Sequence, residues 1–410
     1  MKRHDLSSFG ALALAVVFST FSAHAADWPN WRGPDHNGIS TETGWNPQWP
    51  ASGPKKIWSA QIGTGFSSIS VANGRVYTMG NGKDSANNES DTVFCFDGKT
   101  GAKIWSYTYE CELDPKYFLG GPTATPTVDG NFVYTISRKG HVFCFASDSG
   151  KIIWKTNVVD DLGLPAPVWG ISGSAYIDKD LVIYNAGSCG VAFNKKNGAV
   201  AWISNKKAPG YSTAVPFTYN GAPAITFALF DTVAAVNPQT GKLLWSYPWK
   251  TQYDINAADP IVFNDKVFVS SGYNHGAALF EIKDGKPTTI WENKEMRNHF
   301  NSCVLLDGYL YGIDGEAGDK AELRCIDFAT GVTKWKHPGV GSGSVTIANK
   351  TLIILSNKGE LSTATPSPEG FKLISKAQVL TGQCWTVPTL ANGLIYCRSN
   401  PGELICLDVK

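Results

Sequence analysis

Short stretches of alternating apolar and polar residues run through the chain, and nearly every stretch ends at a turn signal. Residues 126–134, for example, form two apolar runs around Asp129 and Gly130, and the pattern returns at residues 303–311. Asp and Gly favour tight hairpins, because Asp hydrogen-bonds to its own turn and Gly accepts a positive φ. We count eight such pairs of runs. Alternation with a period of two predicts β-strands rather than helices.

A second pattern follows each strand pair and ends in tryptophan. A small residue and Asp97 lead to Thr100 and Gly101, which form the turn signal, and Trp105 closes the unit. The closing tryptophan recurs every 43–49 residues, a period typical of repeat proteins. Each unit therefore supplies four short strands, the content of one β-propeller blade. The repeated tryptophans are Trp58, Trp105, Trp154, Trp202, Trp245, Trp291 and Trp335.

The two ends of the repeat region complete one another. Residues 402–408 match the third strand of a unit and stop before its tryptophan, whereas residues 55–58 match a fourth strand that lacks the first three. We predict an all-β, eight-bladed β-propeller of four-stranded antiparallel blades, with the ring closed by the N-terminal strand pairing with the C-terminal blade. Closure removes the free sheet edges. The seventh unit lacks its tryptophan, and we expect that position at Leu373 or Ile374.

The start of the chain has a different pattern. Lys2 and Arg3 precede an apolar stretch over residues 9–21, and small residues end at Ala25, as is typical of a secretory signal peptide. We expect cleavage near Ala25 and a periplasmic or secreted protein. Past this stretch the sequence has neither an apolar run long enough to span a bilayer nor a cysteine placed for lipid attachment. The predicted parts are a signal peptide over residues 1–25, an extended Trp- and Pro-rich arm over residues 26–54, and the propeller over residues 55–410.

Composition and charge narrow the classes of partner. Only 17% of the residues are charged, whereas soluble domains carry about 25%. The 36 basic and 35 acidic residues nearly balance, which disfavours nucleic acid as a partner because such binding needs a basic excess. Four of the nine cysteines share one repeat position and are expected to be buried packing residues. A disulfide between Cys397 and Cys406, across the last hairpin, is left open. We expect a monomer.

The repeated pattern small-x-Asp-x-x-Thr-Gly-x-x-x-Trp resembles the repeat of the PQQ-binding-like, quinoprotein-type β-propellers, over residues 55–408. In length the chain is similar to the cofactor-free members related to an outer-membrane assembly factor and to secreted members without assigned function. The resemblance implies that the seven tryptophans dock blade against blade. The chain lacks the adjacent cysteine pair of the quinoprotein alcohol dehydrogenases and a Cys-x-x-Cys-His haem motif. We therefore predict no cofactor, with pyrroloquinoline quinone and calcium as the disfavoured alternative.

Propellers bind ligands at the mouth of the central channel, over the loops that lead into the innermost strands. Aromatic faces stack on sugar rings or planar ligands. The same aromatic residues can instead plug the channel or pack between blades. The candidate ligand-binding residues in these loops are Phe66, Tyr117, Trp169, Tyr211 and Trp385.

Polar residues near the same loops are the candidates for chemistry. Asp259 or His299 would serve as a general base, with Asn301 orienting a hydroxyl group. A glycine-rich acidic turn follows, but it does not complete a calcium-binding pattern, so we predict no metal site. The weak metal candidates in that turn are Asp314, Glu316 and Asp319.

Two functions follow from these residues. The first is a binding or scaffolding protein whose ligand, a protein or a carbohydrate, sits at the propeller face or central funnel. The second is an enzyme, either a PQQ-dependent sugar or alcohol dehydrogenase or another carbohydrate-active enzyme. Fold resemblance alone carries no chemistry.

Overall fold

The computed structural model describes residues 26–410, and the signal peptide predicted over residues 1–25 lies outside them. Eight four-stranded antiparallel blades form a closed ring, and a short parallel strand of the arm extends the sheet of one blade, so the predicted eight-bladed β-propeller is confirmed. Residues 26–410 contain no helix, and therefore none that could cross a membrane.

The strands follow the order of the chain. The arm contains β1 (Ile39–Ser40), and β2 (Lys55–Gln61) follows it. Blade 1 consists of β3 (Ser70–Ala72), β4 (Arg75–Lys83), β5 (Glu89–Asp97) and β6 (Lys103–Glu110). Blade 2 consists of β7 (Thr127–Asp129), β8 (Phe132–Ile136), β9 (His141–Ala146) and β10 (Ile152–Asn157). Blade 3 consists of β11 (Tyr176–Asp178), β12 (Leu181–Tyr184), β13 (Val191–Asn194) and β14 (Val200–Ile203). Blade 4 consists of β15 (Val215–Tyr219), β16 (Ala222–Ala228), β17 (Thr232–Val236) and β18 (Leu243–Pro248).

The second half of the ring repeats this arrangement. Blade 5 consists of β19 (Ile261–Phe263), β20 (Lys266–Ser271), β21 (Gly276–Lys283) and β22 (Lys286–Asn293). Blade 6 consists of β23 (Val304–Leu306), β24 (Tyr309–Asp314), β25 (Glu322–Asp327) and β26 (Thr333–His337). Blade 7 consists of β27 (Ser344–Ala348), β28 (Thr351–Leu355), β29 (Glu360–Thr365) and β30 (Lys372–Gln378). Blade 8 combines β31 (Thr389–Ala391), β32 (Leu394–Arg398) and β33 (Glu403–Asp408) with β2.

Ring closure uses the N-terminal strand, as predicted. Strand β2 pairs antiparallel with β33, and Lys55 lies opposite Asp408 while Trp58 lies opposite Cys406. We call the side of the ring with the turn between the first two strands of each blade the arm side. The opposite side carries the loops that lead from one blade to the next, and we call it the funnel side.

Each repeated tryptophan lies between two blades. Trp105 sits on the outer strand β6 beside a β-bulge, and its indole covers Gly150 in the turn of blade 2. A Cβ atom at Gly150 would lie 2.6 Å from that indole, and the φ of +69° also favours glycine. The Thr-Gly signal is therefore a docking surface as well as a turn. Indole Nε1 atoms donate to carbonyls of the next blade at 2.7–3.1 Å in six pairs: Trp58 with Gly98, Trp105 with Ser147, Trp154 with Lys195, Trp202 with Pro238, Trp291 with Phe328, and Trp335 with Ser367.

Blade 7 lacks this tryptophan, and the arm takes its place. Ser375 lies opposite Thr363 next to the bulge, the position that Trp105 has in blade 1. The expected position at Leu373 or Ile374 was wrong, because the hairpin of blade 7 is two residues longer than that of blade 1: Thr363 and Ser375 are 12 positions apart, whereas Cys95 and Trp105 are 10 apart. The Trp49 backbone N–H donates to Ser375 Oγ at 3.1 Å, and the Trp49 and Trp45 side chains pack into the core between blades 7 and 8. The arm therefore supplies tryptophan to the one interface whose own repeat lacks it.

All nine cysteines are buried and free. Cys406 lies opposite Tyr396, and Cys397 lies opposite Ile405. Because neighbouring residues of a strand point to opposite faces of the sheet, Cys397 and Cys406 point away from each other. The open possibility of a disulfide between them was therefore wrong.

Candidate functional site

A belt of aromatic side chains lies on the funnel side of the ring. The rings of Phe300 and Trp385 stack with centroids 4.5 Å apart, and Trp385 lies 5.5 Å from Phe66. The belt continues from Phe66 to Phe118 at 5.3 Å and from Phe118 to Trp169 at 5.6 Å. Loops of five blade junctions thus contribute to one continuous surface. Sequence reasoning named Phe66, Trp169 and Trp385 but missed Phe118 and Phe300, which directly follow the named candidates Tyr117 and His299.

The other two aromatic candidates lie beside Trp169. Tyr117 is 95% exposed and its ring centroid is 5.9 Å from that of Trp169. Tyr211 is buried, and its hydroxyl accepts a hydrogen bond from the Trp169 backbone N–H at 3.4 Å. The five predicted aromatic residues therefore share one face. Of the five, Tyr117 alone is fully exposed, whereas Phe66 and Trp169 are half-buried and Tyr211 and Trp385 are buried.

Two buried arginines hold the loops of this belt in place. Arg138 donates from Nε to the Trp169 carbonyl at 3.1 Å, and its guanidinium lies 5.3 Å from the Phe118 ring centroid. Arg398 donates from Nη1 to the carbonyls of Ser67 at 2.9 Å and Met79 at 2.7 Å. Burial lowers the pKa of Arg398 to about 9. Both arginines follow the apolar run of a second strand, which is a sequence signal for a buried cation at this level of the blade.

A chain of side-chain acceptors runs around the channel just before the innermost strands. In each case the backbone N–H of one blade donates to a side-chain oxygen of the next, and five consecutive junctions follow this rule. Hydroxyl groups and one carboxylate thus tie blade to blade at the channel wall. The donor and acceptor pairs, at 2.7–3.1 Å, are Ser68 with Thr125, Thr125 with Ser174, Ser174 with Thr213, Thr213 with Asp259, and Asp259 with Ser302.

Asp259 therefore lies in the channel wall and not in the funnel. One carboxylate oxygen accepts the Thr213 backbone N–H at 2.7 Å and the other accepts Trp31 Nε1 of the arm at 2.6 Å. Arg32 of the arm places its Nε 3.9 Å from the same carboxylate. Burial raises the pKa of Asp259, and Arg32 opposes that rise. Because the arm enters the channel and occupies this carboxylate, Asp259 does not lie at the mouth beside His299, and its role as a general base stays a prediction.

The arm closes the channel from its own side. Trp28 forms a two-way backbone pairing with Val71 of blade 1 at 2.8 Å. Arg32 is buried and donates to the Cys303 carbonyl at 2.8 Å, which ties the arm to blade 6. Strand β1 then runs parallel to β27 of blade 7. A single segment thus contacts blades on opposite sides of the ring.

His299 and Asn301 lie close to the aromatic belt. The His299 ring stacks on Phe300 with centroids 4.0 Å apart, and its Nδ1 is 3.6 Å from a Glu316 oxygen. Burial lowers the pKa of His299 to about 4, so the ring is neutral at pH 7. Asn301 donates to the carbonyls of Gly343 and Trp385 at 3.0 and 2.9 Å, which joins three loops. Their catalytic roles stay predictions, and the contacts themselves position the belt.

The acidic turn offers no shared site for a cation. Asp314 is buried between Arg297 at 2.6 Å and Arg324 at 2.8 Å, whereas Asp319 pairs with Lys358 at 2.7 Å. Glu316 faces His299 instead. Within residues 26–410 no group of three His, Cys, Asp or Glu side chains is arranged to hold a metal ion. The carboxylates of this turn therefore serve three separate contacts.

Phe300 and Trp385 leave no space between them for a quinone ring. A planar ring held between two aromatic faces needs them about 7 Å apart, because each contact takes about 3.5 Å. Phe300 and Trp385 are already in contact at 4.5 Å. Calcium needs several convergent oxygen ligands, and the carboxylates of Asp259 and Asp314 are engaged elsewhere. A cavity of about 690 Å³ beside Trp49 is lined by the arm and by blades 7 and 8, and not by the belt.

Comparison with known proteins agrees with this architecture. A family model described as outer membrane protein assembly factor BamB matches residues 89–337, more than half of the chain. Outer membrane protein assembly factor BamB of Yersinia pestis is 24% identical over 378 residues, which cover 86% of this chain and 88% of that protein.

Two solved structures share the fold. BamB from Moraxella catarrhalis superimposes with a TM-score of 0.62 at 16% identity, covering 87% of this chain and 99% of that one. A europium-containing methanol dehydrogenase superimposes with a TM-score of 0.68 at 13% identity, covering 91% of this chain and 90% of that one. At these identities the two structures bear on the fold alone. With the family match over residues 89–337, the chain belongs to the PQQ-like β-propeller repeat family that includes outer membrane protein assembly factor BamB.

Proposed function

We propose that this protein is a monomeric scaffold outside the cytoplasm that binds another protein through the funnel side of the propeller. The observation that carries the proposal is a group of exposed apolar side chains around Trp169, which we call the Tyr117 patch. It consists of Tyr117, Leu119, Val168 and Trp169. Tyr117 is 95% exposed, Val168 68% and Leu119 41%. Exposed aromatic and aliphatic side chains in one place are typical of a protein-binding surface.

The patch is held by fixed contacts, as a binding surface requires. Lys116 donates from Nζ to the Val168 carbonyl at 2.6 Å and lies 5.6 Å from the Trp169 ring centroid. Arg138 fixes the Trp169 carbonyl from below. Because these loops are ordered before a partner arrives, binding costs less conformational entropy. An aromatic residue that is anchored beneath an exposed rim is also the usual form of a binding hot spot.

The relatives and the leader sequence support the same class of function. The matching family model and a relative of similar length are described as an outer membrane protein assembly factor. The signal peptide predicted over residues 1–25 supports a location outside the cytoplasm. We propose that binding needs no cofactor, in keeping with the stacked contact between Phe300 and Trp385.

Site-specific photocrosslinking tests the proposal. A photoreactive amino acid at Tyr117 or Val168, in the cells that make the protein, should give the same discrete protein adduct. Trp169→Ser should remove that adduct without lowering Tm by more than about 4 °C. Lys350, an exposed residue in an arm-side turn, provides the matched control position. Equal adducts at Lys350, or no protein adduct at the patch, would refute the protein-binding surface.

Two further measurements separate the alternatives. Binding on a glycan array that is lost in Trp169→Ala and Trp385→Ala would assign the funnel to a carbohydrate instead. Pyrroloquinoline quinone with calcium should leave Tm unchanged and give no dye reduction with sugars or alcohols. A rise in Tm with turnover would favour the quinoprotein dehydrogenase.

A further inference from the structure

The first described residue of the chain touches a buried carboxylate. The backbone nitrogen of Ala26 lies 3.4 Å from a Glu42 carboxylate oxygen. Glu42 is only 2% exposed, although it belongs to the arm. The same carboxylate accepts the Asn392 backbone N–H at 2.7 Å and the Gly393 backbone N–H. Glu42 thus gathers three backbone donors, one from the start of the arm and two from the inner turn of blade 8.

This carboxylate has no ion-pair partner within 4 Å among residues 26–410. Burial raises the pKa of Glu42, and the backbone hydrogen bonds together with the more distant charge of Lys410 oppose that rise. Buried carboxylates are normally paired with a cation, because hydrogen bonds alone offset only part of the lost hydration. A positive charge beside Glu42 would therefore complete the site.

Ala26 is fixed at this place from its other side. The next residue, Asp27, accepts the Asn73 backbone N–H of blade 1 at 3.0 Å and the Asn392 side-chain amide of blade 8 at 3.2 Å. Ala26 is therefore held across the junction of blades 8 and 1, with its nitrogen directed at Glu42. The sequence predicts cleavage of the chain after Ala25, directly before this nitrogen.

We propose that hydrolysis of the Ala25–Ala26 peptide bond creates a cation for Glu42. A peptidase adds water across the bond, which leaves a carboxylate on Ala25 and an α-ammonium group on Ala26. The uncharged amide nitrogen thereby becomes a cation with three donors, at a position already within hydrogen-bonding distance of Glu42. The new ion pair locks the arm onto blade 8. Removal of the leader is then a structural step that completes the fold, in addition to releasing the protein.

Two pairs of matched proteins test this inference. In the first pair, one protein begins at an authentic Ala26 and the other carries Gly-Ser before Ala26, and the second pair repeats both with Glu42→Gln. At pH 7 the extended protein should have a Tm roughly 2 °C lower, and Glu42→Gln should remove the difference between the two. Glu110→Gln, at an exposed residue of β6, serves as the control and should preserve that difference.

The difference in Tm between the Ala26 protein and the extended protein should depend on pH. Pairing with Glu42 raises the pKa of the α-amino group above its usual 7.7–8.0. Its contribution to stability is fully present below that range and is lost as the pH rises through the raised value. The difference in Tm between the two proteins should therefore vanish near pH 10.

A second readout avoids dependence on the Glu42 variants folding. An amine-reactive ester at pH 7 should acylate the α-amino group of the Ala26 protein at least about tenfold more slowly than that of the extended protein, since one pK unit lowers the reactive fraction tenfold. Equal labelling rates, an unchanged Tm on extension, or secreted protein that begins at a residue other than Ala26 would each overturn the proposal.

Discussion

Replacing Asp259 by alanine tests how the arm is held in the channel. The substitution leaves Trp31 Nε1 and the Thr213 N–H without their acceptor, and it removes the carboxylate 3.9 Å from the buried Arg32. An unpaired buried donor costs about 1–3 kcal/mol, and breaking a buried charge pair costs about 3–5 kcal/mol in all. We therefore expect Asp259→Ala to lower the free energy of unfolding by about 3–5 kcal/mol. Asp259→Asn keeps the shape but directs its NH2 group at one of the two donors, and should cost about 2 kcal/mol.

Urea unfolding followed by tryptophan fluorescence and circular dichroism measures these losses. Ser302→Ala is the matched control, because it removes one hydroxyl acceptor of the same channel wall and should cost about 1 kcal/mol. A double-mutant cycle with Trp31→Phe should show coupling to Asp259→Asn, since phenylalanine removes the donor that faces the new amide. A free energy of unfolding for Asp259→Ala within 1 kcal/mol of wild type would refute this account of how the arm is held.

Three further predictions concern blade docking and pH. Trp105→Ala should lower the free energy of unfolding by about 3–5 kcal/mol, and Gly150→Ala should also destabilise the protein. The double variant should lose less stability than the sum of the two single variants, because the indole that the new Cβ would contact is absent. Thermal unfolding of all three variants checks this prediction. Burial raises the pKa of Asp91 from 3.8 to about 6, so wild type should lose about 3 kcal/mol of stability in all as the pH rises from about 3 to about 7. Asp91→Asn should abolish that loss in a plot of Tm against pH. His299 should have the opposite effect on the pH dependence of stability, because burial lowers its pKa from 6.5 to about 4 and stability is lost as the pH falls through this window. His299→Phe should reduce that loss in a plot of Tm against pH. An unchanged decrease of Tm at acid pH would contradict the assignment.

The fold could be predicted from the sequence because the same unit repeats along the chain. Spacing of the tryptophans, the Thr-Gly turns and the matching chain ends each reported a local feature that the structure repeats in almost every blade. The position of Ser375 was misjudged because the hairpin of blade 7 is two residues longer than that of blade 1, so the spacing of the other repeats does not apply to it. Fold prediction thus succeeded where one unit resembles the next.

The contacts of the candidate site were harder to predict from the sequence, because they join distant parts of the chain. The sequence around Asp259 does not predict its hydrogen bond with Trp31, which lies 228 residues earlier in the chain. The hydroxyl acceptors of the channel wall, such as Ser174 and Thr213, resemble ordinary loop residues until the ring brings consecutive blades together. Sequence reasoning named Tyr117 and not its neighbour Phe118, whose ring joins the belt, because a loop lacks the periodicity that indicates which side chain points inward.

The N-terminal part of the chain completes blade 8 and also fills the gap beside blade 7, and this has a consequence for the order in which the blades assemble. Strand β2 has its partner at Asp408, and Trp49 fills the gap beside Ser375, so neither contact can form until almost the whole chain has been synthesised. Closing so long a loop is slow, because its entropy must be lost before the contacts form. Blades 2–6 each pack against a preceding blade that has already been synthesised, whereas blade 1 also packs against blade 8. We expect the seam between blades 7 and 8 to close last and open first, so amide hydrogens of β30 and β33 should exchange ahead of those in the opposite half of the ring.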